Sequence, residues 1–432
     1  MKGKLTVAII VVLCLSLFSA FAPKVNGQVS TVDWWPTFHH DSARSGYSAS
    51  PSVLSNKSLW AFQANGAFSS SPAVVNGIVY IGSFDGDIYA LNAATGSVLW
   101  SYNTNGQAVE SAPAVYEGVV YFSSDDNNLY ALNAALGSKI WSYKSAGGFG
   151  SPAIANNLVY VTSGDGNLYA FNAAKGTKMW NYTMGANSAF SPAVSNGVVY
   201  SVSYYGEVYA LNAVKGTKIW NYATDNYAAS TSSVANGLLY VGTGASMYAL
   251  NASTGTLVWN YTVGSSSTGL SVNSSPAIAN DIVYFGAGLG IYALNATTGT
   301  LVWNWLQGIV RSSPAIANGV VYFGSTNGNF YALNAETGAF IWSYETTGKN
   351  TAIISSPAVA NGVVYMGVSS DSQIDDNVIA FGSIAVPQPS PTIPEFPNQA
   401  VAFALVAAMV CATSAVVVVK KKRVNWKIRR EL

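Results

Sequence analysis

The sequence predicts an all-β protein, an eight-bladed β-propeller of four-stranded antiparallel blades that is closed by an N-terminal strand. Three observations predict it: a tryptophan that returns about every 40 residues, four short β-type runs in each period, and eight copies of a second-strand tyrosine. Four strands in a period of this length are typical of one propeller blade. The recurring tryptophans are Trp60, Trp100, Trp141, Trp180, Trp220, Trp259, Trp303 and Trp342.

One repeat illustrates the local pattern. Runs rich in β-branched and aromatic residues alternate with short turn sequences, and no helical period interrupts them. Asn76-Gly77 separates the first two runs, and this dipeptide favours a two-residue type I′ hairpin because both residues tolerate positive φ. The four runs lie at residues 71–75, 78–83, 87–92 and 97–102. Each repeat is therefore predicted to be four antiparallel strands joined by tight turns.

The two ends of the repeat array do not match, and the mismatch predicts how the ring closes. The strand around Trp60 precedes the first complete repeat, whereas the last repeat, residues 356–381, has no Trp strand of its own. We expect the N-terminal strand to supply the outer strand of the last blade, which leaves no strand edge open to other chains. The second-strand tyrosines that count the blades are Tyr80, Tyr121, Tyr160, Tyr200, Tyr240, Tyr284, Tyr322 and Tyr365.

Membrane-type segments at both ends predict where the protein resides. Residues 1–27 have the charged start and apolar run of a secretory signal peptide. The uncharged run 400–419 is long enough to cross a bilayer as a helix, and the basic tail after it predicts a cytoplasmic C-terminus with the propeller outside. The predicted order is signal peptide 1–27, entry segment 28–57, propeller 58–386, Pro-rich stalk 387–397, transmembrane helix 398–419 and cytoplasmic tail 420–432.

Composition and charge narrow the class of partner. Only 9% of the residues are charged, and the formal net charge is +1. Residues 28–386 carry ten Lys and Arg against seventeen Asp and Glu, so the predicted propeller is mildly acidic, which argues against nucleic acid as a partner. The two cysteines, Cys14 and Cys411, both lie in the membrane-type segments, so we expect no disulfide in the propeller.

The repeat Ala-Leu-Asn-x-x-Thr-Gly-x-x-x-Trp resembles the pyrroloquinoline-quinone (PQQ) repeat, and residues 35–47 resemble the entry segment of PQQ-like propellers. The resemblance implies that Thr95, Gly96, Trp100 and their equivalents dock each blade on its neighbour; Leu136 replaces the threonine in the second repeat. The eight recurring tryptophans are thus the predicted docking residues. The Pro-rich stalk, apolar helix and basic tail together resemble the C-terminal tails of archaeal surface proteins.

The PQQ-like family contains both quinoprotein dehydrogenases and non-catalytic propellers, such as the scaffold subunit that helps to insert outer-membrane barrels. The resemblance implies that a dehydrogenase would carry a disulfide between adjacent cysteines and a calcium ion held by carboxylate and amide side chains. This sequence has no adjacent cysteines and no matching carboxylate cluster. It is therefore more similar to the non-catalytic members, with no cofactor expected and PQQ and calcium disfavoured.

Residues that differ between repeats at one position are the candidate site. The position lies three residues before the first-strand proline, at the end of the inner strands that lines the channel mouth in this family. It carries Glu110, Asn273 and Arg311 in different repeats. We hypothesise that these side chains bind a polar ligand or a peptide; the alternative is that they are solvated loop residues.

Two other groups of polar residues have simpler interpretations. Asp371, Asp375 and Asp376 share a longer loop, but their spacing fits no calcium-binding pattern. The adjacent His39 and His40 would point to opposite faces of an extended chain, so no shared metal ion is expected. No metal site or catalytic residue is predicted.

Three functions fit these features. The first is a membrane-anchored, non-catalytic binding or scaffolding module that meets a protein or glycan at the cell surface, as a monomeric propeller. The second is a glycosylated surface-layer protein, and the third is a PQQ-dependent oxidoreductase. Glycosylation sequons permit the second function without requiring it, and they begin at Asn56, Asn181, Asn251, Asn260, Asn273 and Asn295.

Overall fold

The fold is an eight-bladed β-propeller, and each blade is a four-stranded antiparallel sheet, as the repeats predict. The structure, a computed structural model, describes residues 33–382 apart from 186–189, 225, 229, 265–269, 347–350 and 371–376. The predicted signal peptide, stalk, transmembrane helix and tail lie outside the described residues, and so does the loop of Asp371, Asp375 and Asp376. No helix in the described part has the length and apolarity needed to cross a membrane.

The strands follow the chain in the order of the repeats. Two strands precede the first blade: β1 (Tyr47–Ser48) and β2 (Ser58–Gln63). Blade 1 contains β3 (Ala73–Val75), β4 (Ile78–Gly82), β5 (Asp87–Asn92) and β6 (Val98–Asn103). Blade 2 contains β7 (Ala114–Tyr116), β8 (Val119–Ser123), β9 (Asn128–Asn133) and β10 (Lys139–Lys144). Blade 3 contains β11 (Ala153–Ala155), β12 (Leu158–Thr162), β13 (Asn167–Asn172) and β14 (Lys178–Thr183). Blade 4 contains β15 (Ala193–Ser195), β16 (Val198–Val202), β17 (Glu207–Asn212) and β18 (Lys218–Ala223).

The second half of the ring repeats this arrangement. Blade 5 contains β19 (Ser233–Ala235), β20 (Leu238–Thr243), β21 (Ser246–Asn251) and β22 (Leu257–Thr262). Blade 6 contains β23 (Ala277–Ala279), β24 (Ile282–Ala287), β25 (Gly290–Asn295) and β26 (Leu301–Trp305). Blade 7 contains β27 (Ala315–Ala317), β28 (Val320–Gly324), β29 (Asn329–Asn334) and β30 (Phe340–Glu345). The last strands are β31 (Thr351–Ala352), β32 (Ala358–Ala360), β33 (Val363–Gly367), β34 (Ser369–Ser370) and β35 (Asn377–Gly382).

Blade 8 is assembled from both ends of the propeller. Its sheet has the order β2-β35-β33-β32, so the N-terminal strand β2 forms its outer strand. On the inner side, the Ser356 amide donates a hydrogen bond to the Ser71 hydroxyl at 3.0 Å and joins blade 8 to blade 1. The ring is therefore closed at its outer and its inner strands.

Turn chemistry explains the tight spacing of the strands. Asn76 and Gly77 have φ values of 52° and 74°, which are the left-handed angles that a type I′ hairpin requires. In the turn between β5 and β6, the Asn92 side chain accepts hydrogen bonds from the amides of Ala94 and Thr95. Equivalent asparagines serve the same turn in the following blades. Residues within the repeat therefore form both turns at this end of the blade.

Each blade docks on the next through one backbone carbonyl group. At the junction of blades 4 and 5, the Tyr200 hydroxyl and the Trp220 indole N–H both donate to the carbonyl of Ala252, each at 3.0 Å. A Cβ at Gly255 would lie only 2.6 Å from the Trp220 ring, so the indole packs directly on the turn of the next blade. The same pair of donors recurs at the other junctions.

Two junctions differ from the others in sequence or in chain connectivity but keep the same hydrogen bonds. In blade 2, where Leu136 replaces threonine, Trp100 still donates to the carbonyl of Ala134 at 2.9 Å. In blade 8 the outer strand comes from the N-terminus, and the carbonyl of Val53 replaces the missing turn as the acceptor of Tyr322 and Trp342. The apolar core lies between neighbouring blades; Ile88 and Ala90 of blade 1, for example, belong to one cluster with Val120 and Leu132 of blade 2.

The two ends of the propeller carry different turns and loops. The end that carries the turns between first and second strands and between third and fourth strands is called the turn face here. The opposite end carries the turns between second and third strands and the loops that connect successive blades, and it is called the loop face. Glu110, Asn273 and Arg311 lie in blade-connecting loops and therefore on the loop face.

Candidate functional site

The entry segment fills the axis of the propeller. Its backbone carbonyls accept hydrogen bonds of 2.6–2.8 Å from the central amides of the inner strands of six blades. These amides would otherwise be unpaired, because each inner strand has a neighbour on one side only. The donor and acceptor pairs are Val74 to Trp35, Val115 to Pro36, Val194 to Ser42, Val234 to Ala43, Ile278 to Ser45 and Ile316 to Gly46.

The Arg44 side chain helps to hold the entry segment in the axis of the propeller. The part of the entry segment that fills the axis is called the plug here. The Arg44 side chain is fully buried, and its guanidinium donates to the carbonyls of Pro152, Pro192 and Phe38 at 3.0, 3.1 and 2.6 Å. Because burial disfavours the charged form, it lowers the pKa of Arg44 to about 9. Pro152 belongs to blade 3, so Arg44 holds a blade that the backbone hydrogen bonds of the entry segment leave out.

The turn at His39 and His40 corrects one expectation from the sequence. Their φ values are 54° and 73°, so the chain is not extended there, as we had assumed in comparing their side-chain directions. His39 is buried, and burial together with the nearby Arg44 charge lowers its pKa to about 3. His40 Nε2 lies 3.0 Å from the Asp33 carboxylate. Burial alone would lower the His40 pKa, but Asp33 and Asp41 outweigh it and raise the pKa to about 9.

The loop face contains a cavity of about 460 Å³ between blades 2 and 3, and Glu110 and Asp125 form part of its wall. Burial raises the pKa of Glu110, and the charge of Asp125 raises it further. Burial and the neighbouring Asp126 likewise raise the pKa of Asp125. Because both carboxylates are held close to other negative charges, a cationic group would stabilise their ionised forms.

The other two predicted site residues lie elsewhere on the loop face. Arg311 is exposed in the loop before blade 7, whereas Glu110 precedes blade 2. Asn273 precedes blade 6 and is half-buried, and its side-chain oxygen accepts a hydrogen bond of 2.6 Å from Ser271. The lining of the cavity that Glu110 borders includes neither Asn273 nor Arg311, and the role of the three residues in ligand binding stays a prediction.

A cluster of three exposed tyrosines on the loop face was not foreseen. Tyr204 and Tyr205 lie between β16 and β17 of blade 4, and Tyr227 lies in the loop between β18 and β19 that connects blade 4 to blade 5. Their ring centroids are 5.2–5.7 Å apart, and 49%, 63% and 59% of their surfaces are exposed. The signal in the sequence is the aromatic pair Tyr204-Tyr205, since the repeats of blades 1, 2 and 3 carry Asp85, Asp126 and Asp165 at the position of Tyr205.

Charge is distributed unequally between the two faces. Among the described residues outside the entry segment, the loop face carries eight acidic and two basic side chains. The acidic residues are Asp85, Asp87, Glu110, Asp125, Asp126, Asp165, Glu207 and Glu345, and the basic residues are Lys144 and Arg311. The turn face is basic, and its charged residues outside the entry segment are Lys139, Lys175, Lys178, Lys215, Lys218, Glu117, Asp281 and Glu336; Lys57, the last residue of the entry segment, also lies on this face.

Blade number, repeat sequence and the docking tryptophans define a class, the PQQ-like repeat propellers. The family model described as outer membrane protein assembly factor BamB matches residues 50–190, 185–305 and 290–381, and the chain belongs to this family. No curated protein sequence is similar enough to the chain to count as a match.

Solved structures share the fold at low sequence identity. BamB from Moraxella catarrhalis is 18% identical, with a TM-score of 0.64 over 76% of this chain and 99% of that one. The computationally designed Ika8 protein is 17% identical, with a TM-score of 0.65 over 77% and 100% of the two chains. A quinohemoprotein alcohol dehydrogenase from Pseudomonas putida HK5 is 16% identical, with a TM-score of 0.69 over 85% and 84%. These likenesses show the propeller fold, which enzymes and non-enzymes share.

The described part of the propeller lacks two features associated with the quinone-dependent dehydrogenases. The family resemblance implies a disulfide of adjacent cysteines against the cofactor, and residues 28–386 contain no cysteine. Within the described part of the chain, no three His, Cys, Asp or Glu side chains are grouped so that they could hold a metal ion. The inner strands, which bound the channel, use their amides to bind the entry segment instead.

Proposed function

We propose that this chain is a non-catalytic binding or scaffolding module that docks a protein partner on its loop face. Its location outside the cell and its C-terminal membrane anchor are parts of the proposal that rest on the sequence alone. The family match supports a propeller module, and one of the similar structures is a BamB protein. The chain would act by presenting a rigid surface, which keeps the entropic cost of binding low.

The tyrosine cluster carries this proposal. Tyrosines are enriched at protein interfaces because they offer a large apolar surface with few rotatable bonds. Here three of them are exposed side by side on one face of a closed disc. Elsewhere in the described propeller, most tyrosines of the repeat are used between blades, where their hydroxyls donate to backbone carbonyls.

Site-specific photo-crosslinking tests the proposal in intact cells of the producing organism. Benzoylphenylalanine would replace Tyr205 on the loop face or, as a matched control, Val214, which is 68% exposed on the turn face. We expect one discrete adduct from position 205 and none from position 214. No adduct from position 205, or equal adducts from both positions, would contradict docking through the loop face.

A further inference from the structure

We propose that the loop face recognises an extended, arginine-rich segment of the partner protein, with guanidinium groups stacked on the tyrosine cluster and paired with the surrounding carboxylates. This inference rests on the proposed function and adds the chemistry of the partner. Two independent features of the loop face support it: an aromatic cluster that the fold does not use, and a local excess of negative charge.

Tyr205 does not have the structural role that the residue at this turn position has in other blades. In blades 1 and 3, Asp85 and Asp165 occupy the equivalent position and accept the hydroxyl of a third-strand tyrosine at 2.8 and 2.7 Å. In blade 4 that acceptor is Glu207, two residues further on, which binds the Tyr209 hydroxyl at 2.6 Å. Position 205 is thus free to carry an exposed aromatic ring.

The geometry of the cluster suits flat cationic groups. The planes of Tyr204 and Tyr205 are inclined at 71° to each other, and each is inclined at 47° to Tyr227. Differently tilted, exposed rings present both faces and edges to solvent. Guanidinium groups stack on aromatic faces and retain their N–H groups for carboxylates, which an ammonium group does less well.

The carboxylates needed for such pairing lie in the neighbouring blades. Glu110 and Asp125 border the cavity between blades 2 and 3, and Gly164, next to Asp165 of blade 3, lines the same cavity. The tyrosine cluster follows in blade 4, so one arc of three successive blades carries both features. An extended segment that crosses this arc would meet carboxylates first and aromatic rings next.

A second copy of the chain is the competing occupant, because its turn face carries a group of lysines in blades 3 and 4. A preference for arginine distinguishes a separate partner from a second copy of the chain. Of the two arginines within residues 28–386, Arg44 is buried and Arg311 lies on the loop face itself, so a docked turn face would offer lysine only. A preference for arginine over lysine therefore favours a separate partner.

Peptide binding to the purified full-length chain tests the inference. The probes are fluorescent peptides of alternating Arg-Ser, Lys-Ser and Glu-Ser, measured by anisotropy at low and at physiological salt. We expect the Arg-Ser peptide to bind several-fold more tightly than the Lys-Ser peptide, the Glu-Ser peptide not to bind, and salt to weaken binding. Equal binding of the arginine and lysine peptides, or no binding of either, would overturn the inference.

Substitutions locate the site. Replacing Tyr204, Tyr205 and Tyr227 together by alanine should weaken Arg-Ser binding about tenfold or more, since each lost stacking contact at an exposed site costs about two- to fivefold in affinity. The double variant E110Q/D125N should weaken it as well. Matched controls on the turn face, Leu136→Ala and Glu336→Gln, should leave it unchanged. Equal loss in the controls would show that binding is not specific to the loop face.

The two proposals fail in distinguishable ways. A discrete crosslink from position 205 that excess Arg-Ser peptide does not reduce would refute the arginine-rich partner and leave the docking function intact. Absence of the crosslink would refute the docking function itself. A mass of two or more chains in analytical ultracentrifugation, abolished by the tyrosine substitutions, would identify a second copy as the occupant and overturn the inference.

Discussion

The indole N–H of Trp60 donates a hydrogen bond of 2.9 Å to the carbonyl oxygen of Ala93. Trp60 lies in the N-terminal strand β2, and Ala93 lies in the first blade, so this bond helps to close the ring. Tyr365 donates to the same carbonyl at 3.3 Å. Each junction between blades therefore depends on one carbonyl that receives two donors from the preceding blade.

This shared acceptor predicts non-additive mutations at the junction of blades 4 and 5. Tyr200→Phe or Trp220→Phe alone leaves the Ala252 carbonyl with one donor, and each should cost about 1 kcal/mol in hydrogen bonding. The double variant leaves a buried carbonyl unpaired, which should add roughly 1–3 kcal/mol beyond the sum. Chemical denaturation of the four proteins gives the coupling energy, and strict additivity would contradict the shared-acceptor model.

Replacing the glycine of the docking turn by alanine should reduce stability more than the same replacement at another glycine. Gly255 and Gly237 have similar φ values of 75° and 77°, but a Cβ would contact the Trp220 ring only at Gly255. Gly237→Ala should cost about 1 kcal/mol, whereas Gly255→Ala should cost roughly 1–3 kcal/mol more because the indole must move. Thermal unfolding of the two variants measures the difference. Equal costs would mean that the indole accommodates a methyl group freely.

Arg44 should be the more important of the two propeller arginines for stability. Arg44→Met removes the donors that bind the carbonyls of Pro152 and Pro192, and we expect a loss of roughly 3–5 kcal/mol because several buried acceptors become unpaired. The matched control Arg311→Met, at an exposed position, should change stability by no more than about 0.5 kcal/mol. Hydrogen exchange should also show faster exchange of inner-strand amides such as Val194 in the Arg44 variant. Unchanged protection of these amides would contradict the role of the plug.

The pair of His40 and Asp33 predicts a stability difference that depends on pH. The pKa of His40 is raised to about 9 in the folded protein against 6.5 for the free side chain. The protonated imidazole therefore stabilises the fold fully below pH 6.5, and this contribution is lost as the pH rises through 9. The histidine and His40→Gln proteins should differ by on the order of 2 kcal/mol at pH 6 and converge above pH 9.

His39 titrates in both proteins, so its effect cancels in this comparison, and the lowered pKa values of Asp33 and Asp41 keep both carboxylates of the histidine protein ionised across this range. A difference that stays constant from pH 6 to pH 9.5 would show that His40 is not charged in the folded state. Denaturation curves at intervals across this range are sufficient to decide.

The repeats made the propeller predictable, because the Trp, the Asn-Gly turn and the second-strand Tyr recur in register through the sequence. The path of the entry segment was not predictable from the same reasoning, since it occurs once. Three of its residues, His39, His40 and Arg44, adopt left-handed φ values that these residue types seldom take. A fully buried arginine is also uncommon, so nothing in the sequence marked Arg44 as the centre of the plug.

The candidate site was predicted only in part. Glu110 was singled out as a residue that differs between repeats, and it borders the loop-face cavity. Arg311 has the equivalent repeat position before blade 7, and it is not part of the lining of that cavity. The tyrosine cluster depends on contacts between the β16–β17 turn of blade 4 and the loop that connects blades 4 and 5, and sequence spacing does not reveal such contacts.

Thermal unfolding of the full-length chain with and without PQQ and calcium ions tests the central claim most directly. The claim is that the entry segment occupies the axis of the propeller and that the protein functions by docking a partner. A ligand at a hundred times its dissociation constant adds about 2.7 kcal/mol to stability, which shifts the melting temperature measurably. We predict no shift with PQQ and calcium together. A clear rise in melting temperature would contradict the account and identify the protein as a cofactor-binding propeller.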